Sequence, residues 1–227
     1  MPLRQTSEKK GTRTQVLQAA FRVFSRHPYN AASIRMIAKE GGFGHAIIGY
    51  YFPTKADLFR ALAAEIYDDL YAANREWLAE VRSMSLEEGF SRYVGRLVEY
   101  SRDKPWVLRI MMLNLAQEKV GAIPGQDRLM EVIEGMRRAF AETMRLPADP
   151  EVVARFSDSF NALALYYLGA PDSAAWLLRM EADSTEYADW VHKTLVTMFL
   201  PVLARLFGGR GEQEDRDEGF PSATDSG

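Results

Sequence analysis

SIRMIAKEGGFGHAIIGYYFPTKADLF, residues 33–59, concentrates the strongest local structural signals of the chain. Ile34, Ile37 and Ala38 recur at i, i+3, i+4, the spacing of one buried helical face. Ser33 precedes them, and its hydroxyl oxygen can accept a backbone N–H left unpaired in the first turn. Gly41-Gly42 stops the helix, because glycine takes the left-handed conformation of a tight helix end without a Cβ penalty. Gly44 to Tyr51 forms a second short segment, ended at Phe52-Pro53. Proline lacks a backbone donor and pushes the residue before it out of the helical region. Thr54 and Asp57 then have the spacing of a capping box for a third, longer helix. Two short helices joined by a glycine-bearing turn make a helix-turn-helix, which presents its second helix to the major groove of DNA.

On the N-terminal side, residues 1–11 are polar and basic and are expected to form a mobile arm. Thr12 to Arg26 carries Val16, Leu17, Ala20, Phe21 and Phe24 on one apolar stripe and ends at His27-Pro28. Residues 12–53 are thus expected to form a three-helix DNA-binding unit. On the C-terminal side, Leu58, Leu62, Ile66 and Leu70 step by four along a helix reaching about Val81. Ser85 and Glu88 open the next, Pro105 suits the first position of another, and Asp149-Pro150 starts a further one. Gly169-Ala170-Pro171 interrupts the pattern. Asp183-Ser184 caps a last helix, in which Pro201 predicts a kink or break. No segment sustains an alternating pattern, so the fold class expected is all-α. An N-terminal helix-turn-helix domain joins a helical body over 54–207, and a Gly-rich acidic stretch, 208–227, is expected to be a disordered tail.

The charge is divided in the same way. Residues 1–60 hold ten Lys/Arg against three Asp/Glu, although the whole chain has a net charge of -3. A basic block around a helix-turn-helix, attached to an acidic body, is the electrostatic footprint of a nucleic-acid reader. Cysteine is absent, which excludes disulfides and thiolate metal sites and fits a reducing compartment. No stretch approaches the ~20 apolar residues of a membrane span, so a cytoplasmic protein without membrane association is expected. The three histidines (His27, His45, His192) lie at no metal-ligand spacing and beside no nucleophile motif, and no glycine-rich phosphate loop is present. An enzyme, a metal site or a bound cofactor is therefore not expected.

Residues 12–60 resemble the DNA-binding domain of TetR-type (tetracycline-repressor-like) transcriptional regulators. The resemblance rests on Ala19-Ala20-Phe21 and Phe24, on Ser33-Ile34-Arg35 with Ile37-Ala38, and on Gly42-Phe43. It is strongest at Tyr51-Phe52-Pro53-Thr54-Lys55 with Leu58, which looks like the family's aromatic-Phe-Pro-Ser-Lys-Glu-x-Leu signature. The chain departs from the family's usual residues at Gly44 (Ser or Thr), Ile47 (Thr), Gly49 (aromatic), Ala56 (Glu) and Pro28 (Gly). The resemblance implies a homodimer on a pseudo-palindromic operator and an effector-binding body. Repression is the family's commoner mode, and release by a small, largely apolar effector is expected. On the residues alone, a helical DNA-binding or scaffold protein without effector response stays open.

Ser33, with its hydroxyl at a helix N-terminus, and Lys55 are the leading candidates for phosphate contacts. A cation in the first turn of a helix opposes the helix dipole, which a phosphate would explain for Lys55. Arg13 and Thr14 are further phosphate candidates. Arg35 can reach a base edge or phosphate, and Gly44, His45, Ala46, Ile47 and Gly49 belong to the groove-facing segment, where Ile47 can meet a thymine methyl. Tyr50 and Tyr51 are placed for phosphate or for aromatic packing. Effector-pocket candidates are Trp106, Met111, Asn114, Met136, Phe140, Phe160 and Asn161, the two amides being equally able to satisfy neighbouring backbone. Dimer-interface candidates are Trp176, Val191, Leu195, Met198, Phe199 and Val202.

Overall fold

The computed structural model describes residues 3–115, 123–144 and 149–208, and every regular element among them is a helix. They are α1 (Leu3–Phe24), α2 (Ile34–Gly41), α3 (His45–Tyr51), α4 (Lys55–Val81), α5 (Leu86–Asp103), α6 (Pro105–Leu115), α7 (Gln126–Thr143), α8 (Pro150–Gly169), α9 (Pro171–Leu178) and α10 (Thr185–Gly208).

The capping residues fix the boundaries. Ser33 Oγ accepts the Met36 N–H at 3.3 Å, and Gly42 closes α2 with a φ of 70°. Thr54 Oγ1 accepts the Asp57 N–H at 3.1 Å while the Asp57 carboxylate accepts the Thr54 N–H at 3.2 Å, completing the box. Ser85 accepts the Glu88 N–H at 3.3 Å, and Asp149 accepts the Glu151 N–H at 2.9 Å. Ser184 accepts the Tyr187 N–H at 3.0 Å.

The first three helices and the start of α4 enclose a small core of Val16, Leu17, Phe24, Ile37, Ile48, Leu58, Phe59 and Leu62. Phe24 meets Phe59 edge-on with ring centroids 4.8 Å apart. α4 then leaves this unit and enters the body. Its 27 residues span about 40 Å, and its later buried residues, among them Leu70, Trp77 and Val81, belong to the body's core against α5 and α7. Within the body α6 packs on α8 and α5 on α10. One helix therefore carries a continuous core from the N-terminal unit into the body.

Several sequence expectations are corrected. Residues expected as an arm are helical from Leu3 onward: Leu3, Arg4, Gln5, Glu8, Lys9 and Lys10 are good helix formers, and no proline interrupts the run. α10 continues through Pro201 to Gly208, with Leu195, Phe199 and Leu203 on either side of the proline held in the core. Val191, Leu195 and Phe199, expected at a dimer interface, lie in the chain's own core because steps of four place them on the stripe of Tyr187 and Leu203. Trp176, Met198 and Val202 remain exposed, at 76%, 54% and 44%. The expected acidic tail after Gly208 lies outside the described residues.

Candidate nucleic-acid interface

α3 is held from beneath by Ile48, which is fully buried, and by Tyr51 at its end, packed against the core. Gly44, His45, Ala46, Ile47, Gly49 and Tyr50 are all exposed. The helix therefore turns nearly its whole length outward on these two anchors. Gly44 caps α3 without a side-chain hydrogen bond, as its lack of a hydroxyl requires. A Cβ placed on Gly44 or Gly49 would meet nothing within 4 Å, so both leave the helix backbone open to close approach. Tyr50 stands edge-on to Tyr51 with centroids 5.0 Å apart, so the two rings brace each other.

α2 supplies the rim. Ser33 is exposed, and with its oxygen already accepting from Met36 it keeps its O–H for a further acceptor. Arg35 and Lys39 are exposed and make no ion pair among the described residues. Lys39 did not stand out in the sequence, where it is one basic residue among ten. Its distinction is that its neighbours are committed: Arg22 and Arg26 both bind Glu40, at 2.7 and 2.8 Å. The Arg22 hydrogen bond, with that of Arg26, holds the Glu40 carboxyl below its usual range. Arg13, on α1, lies 3.7 Å from Glu65 and stands over the Phe52 ring at 5.2 Å, while Thr14 beside it is exposed.

Lys55 is placed differently from the expectation. Its ammonium donates to the Tyr29 carbonyl at 2.9 Å and the Ala32 carbonyl at 3.0 Å, and sits 4.3 Å from the centre of the Tyr29 ring. The acceptors that offset its unfavourable place at a helix N-terminus are backbone carbonyls of the preceding loop, and partial burial pushes its pKa down.

The seven effector-pocket candidates fall in different places. Trp106 lines a cleft of about 530 Å³ between α1, α4 and α6, together with Phe21, Ile66, Asp69 and Lys104. Lys104 Nζ lies 2.7 Å from both Asp69 carboxylate oxygens. Of the two readings of Asn114, it takes the backbone one: its carbonyl accepts the Tyr29 N–H at 2.9 Å and its amide donates to the Ile110 carbonyl at 2.7 Å. Met111 packs half-buried against the core. Met136, Phe140, Phe160 and Asn161 line a separate small cavity.

Comparison with known proteins agrees with this geometry. Residues 16–62 match the family model described as bacterial regulatory proteins, tetR family. The regulator RutR of Escherichia coli (strain K12) is 25% identical over 131 residues, which are 56% of this chain and 55% of that protein. The chain spans about half the length of the curated relatives it matches. A tetR-family regulator from Streptomyces coelicolor superposes with a TM-score of 0.61 at 19% identity, over 91% of this chain and 96% of that one. The regulator FadR from Bacillus subtilis, in complex with stearoyl-CoA, gives 0.59 at 15% identity, over 81% and 97%. These two structures share the fold from end to end, and it is the N-terminal unit, residues 16–62, that matches the tetR family of bacterial regulatory proteins.

Proposed function

We propose that the protein is a cytoplasmic transcriptional regulator, a repressor that binds a pseudo-palindromic operator as a homodimer and is released by a small effector. The observation that carries this reading is the outward face of α3, exposed from Gly44 to Tyr50 except for the buried anchor Ile48. Ser33, Arg35 and Lys39 flank that face with a hydroxyl and two cations not engaged in ion pairs among the described residues. Backbone-positioning groups around a base-reading helix are what a groove-docking module needs.

Exposed Trp176, Leu177, Met198 and Val202 on α9 and α10 support a second copy as partner, since large apolar side chains at the surface of a helical body mark contact faces. A two-fold pair of recognition helices matches two half-sites, and an effector that favours another spacing of the two lowers affinity by population shift. FadR in complex with stearoyl-CoA is a same-fold precedent for a regulator holding an apolar-tailed ligand.

The test is a titration of the full chain against duplexes enriched from a random pool and against their scrambled counterparts, at several salt concentrations. Specific duplexes should bind at least about a thousandfold more tightly. Equal affinity for both sets refutes a sequence-specific regulator.

A further inference from the structure

Between α7 and α8 the body closes over a cavity of about 20 Å³, room for one water molecule. Tyr93, Phe140, Phe156 and Phe160 form its aromatic walls, the Phe140 and Phe156 rings stacked with centroids 5.9 Å apart. Two polar atoms of its lining residues, Arg137 Nε and Ser157 Oγ, are buried without a partner among the described residues. Ser157 is only 7% exposed. A third such atom among the described residues, Asn74 Oδ1, belongs to an amide that donates at 2.7 Å to the hydroxyl of Tyr93, one of the lining residues. Buried polar atoms without partners are unfavourable and uncommon in folded proteins, and here two of them belong to residues lining one cavity.

The chemistry of the two lining groups is specific. The outer nitrogen of Arg137 is held by exposed Asp158, which fixes the guanidinium and leaves its buried Nε edge at the cavity. An arginine N–H and a serine O–H together supply two donors, one of them charged, which suits a carboxylate. Around them the surface is aromatic, and half-buried Met136 is an adaptable neighbour for an apolar group. α7 packs chiefly on α4 and touches α8 lightly, so the α7–α8 seam can open without breaking the main contact of α7.

We propose that this seam binds a monocarboxylate with an apolar body. Its carboxylate accepts from Arg137 Nε and Ser157 Oγ, and its apolar part enters among Tyr93, Phe140, Phe156 and Phe160 as Met136 moves aside. The inference rests on the reading of the body as an effector domain and names the class of effector.

The test uses the full chain with octanoate and phenylacetate, and with octanamide and phenylacetamide as neutral counterparts. Binding is followed by calorimetry and by the shift in melting temperature. At least one acid should bind, and its amide should bind roughly tenfold more weakly, the loss expected for one charge-assisted hydrogen bond. Ser157→Ala removes an unpaired hydroxyl, so the free protein should melt at the same or a higher temperature while acid binding falls roughly tenfold. Arg137→Gln should abolish the preference for acid over amide. Acid and amide binding alike, acid binding untouched by Ser157→Ala, or no acid binding at all overturns the proposal and leaves the cavity to a water molecule. Operator binding is measured in parallel. Acid binding with these dependences but no change in operator affinity upholds the site and refutes the effector reading. Operator binding without any acid binding refutes this inference alone.

Discussion

Asn114 of α6 accepts the backbone N–H of Tyr29 at 2.9 Å, joining the helical body to the loop between α1 and α2. The same Tyr29 offers its carbonyl to Lys55 at the head of α4, also at 2.9 Å. Arg109, also on α6, donates to the Ser25 carbonyl at 3.0 Å and pairs with Asp172 of α9 at 2.9 Å. The N-terminal helix-turn-helix unit is therefore gripped from α6 through backbone atoms at Ser25 and Tyr29, in addition to its continuity with α4. Backbone acceptors and donors are fixed in place, so a displacement of α6 must either carry this loop or break these bonds.

Asn114→Ala removes the acceptor for the Tyr29 N–H and leaves a part-buried donor unpaired. A stability loss of about 1–3 kcal/mol is expected, read from the urea midpoint of the full chain. An unchanged midpoint would show that water replaces the amide and that the link contributes nothing.

Lys55 and Lys39 separate two roles that a basic residue can have in this domain. Lys55→Ala strips two carbonyls of their donor and should cost about 1–3 kcal/mol of stability while leaving the salt dependence of DNA binding as it was. Lys39→Ala should leave stability within about 0.5 kcal/mol and reduce the slope of log K against log salt by about 0.9. Exchange of those two outcomes between the variants would restore Lys55 as the phosphate contact.

The contrast also marks what the sequence made legible. Caps at Ser33, Thr54 and Ser85 could be read because each is settled by residues three apart, and the stripe of Val16, Leu17, Ala20 and Phe24 because helical period alone places it. The oddity of a lysine at a helix start was legible too. Its acceptors were not, because Tyr29 and Ala32 reach it only once the loop has folded back over α4. Asn114 shows the same limit: an amide among apolar neighbours signals a need for partners, and the partner lies 85 residues away in sequence. In α10 the apolar residues cover more than one face, so periodicity could not tell Leu195, which is buried, from Met198, which is exposed. The two unpaired atoms at Arg137 and Ser157 depend on how α7 meets α8 and leave no mark in either helix's pattern.

Glu40 links stability to pH. Its hydrogen bonds from Arg22 and then Arg26 hold its folded pKa below the ordinary 4.5. A carboxyl depressed in this way contributes stability that is fully present above pH 4.5 and is lost as pH falls through the lower folded value. Urea titrations between about pH 3 and 6 should therefore show wild type losing more stability toward the acid end than Glu40→Gln. Parallel curves for the two proteins would mean that the paired arginines do not favour the ionised form.

Gly49 sits inside α3 with open space where a Cβ would stand. Alanine there should stabilise the protein by about 0.5–1 kcal/mol, since glycine in a helix interior loses more backbone freedom on folding. The added methyl would stand on the face proposed to enter the groove, so operator affinity should fall as melting temperature rises. A variant that is more stable and binds operator equally well would place the DNA backbone and bases away from Gly49.

Leu195 and Met198 are three residues apart on α10 and should respond in opposite ways. Leu195 is fully buried, and Leu195→Ala leaves a cavity costing about 2–5 kcal/mol. Met198 is exposed, so Met198→Asp should change the stability of the isolated chain by no more than about 0.5 kcal/mol. If α10 meets a second copy through its outer face, however, a carboxylate there is buried against apolar surface without a partner, which is strongly unfavourable. Sedimentation should then show Met198→Asp as a folded monomer at concentrations where wild type is a dimer, with half-site affinity kept and palindrome affinity lost. A Met198→Asp protein that sediments as wild type does would move the two-fold contact off this face of α10.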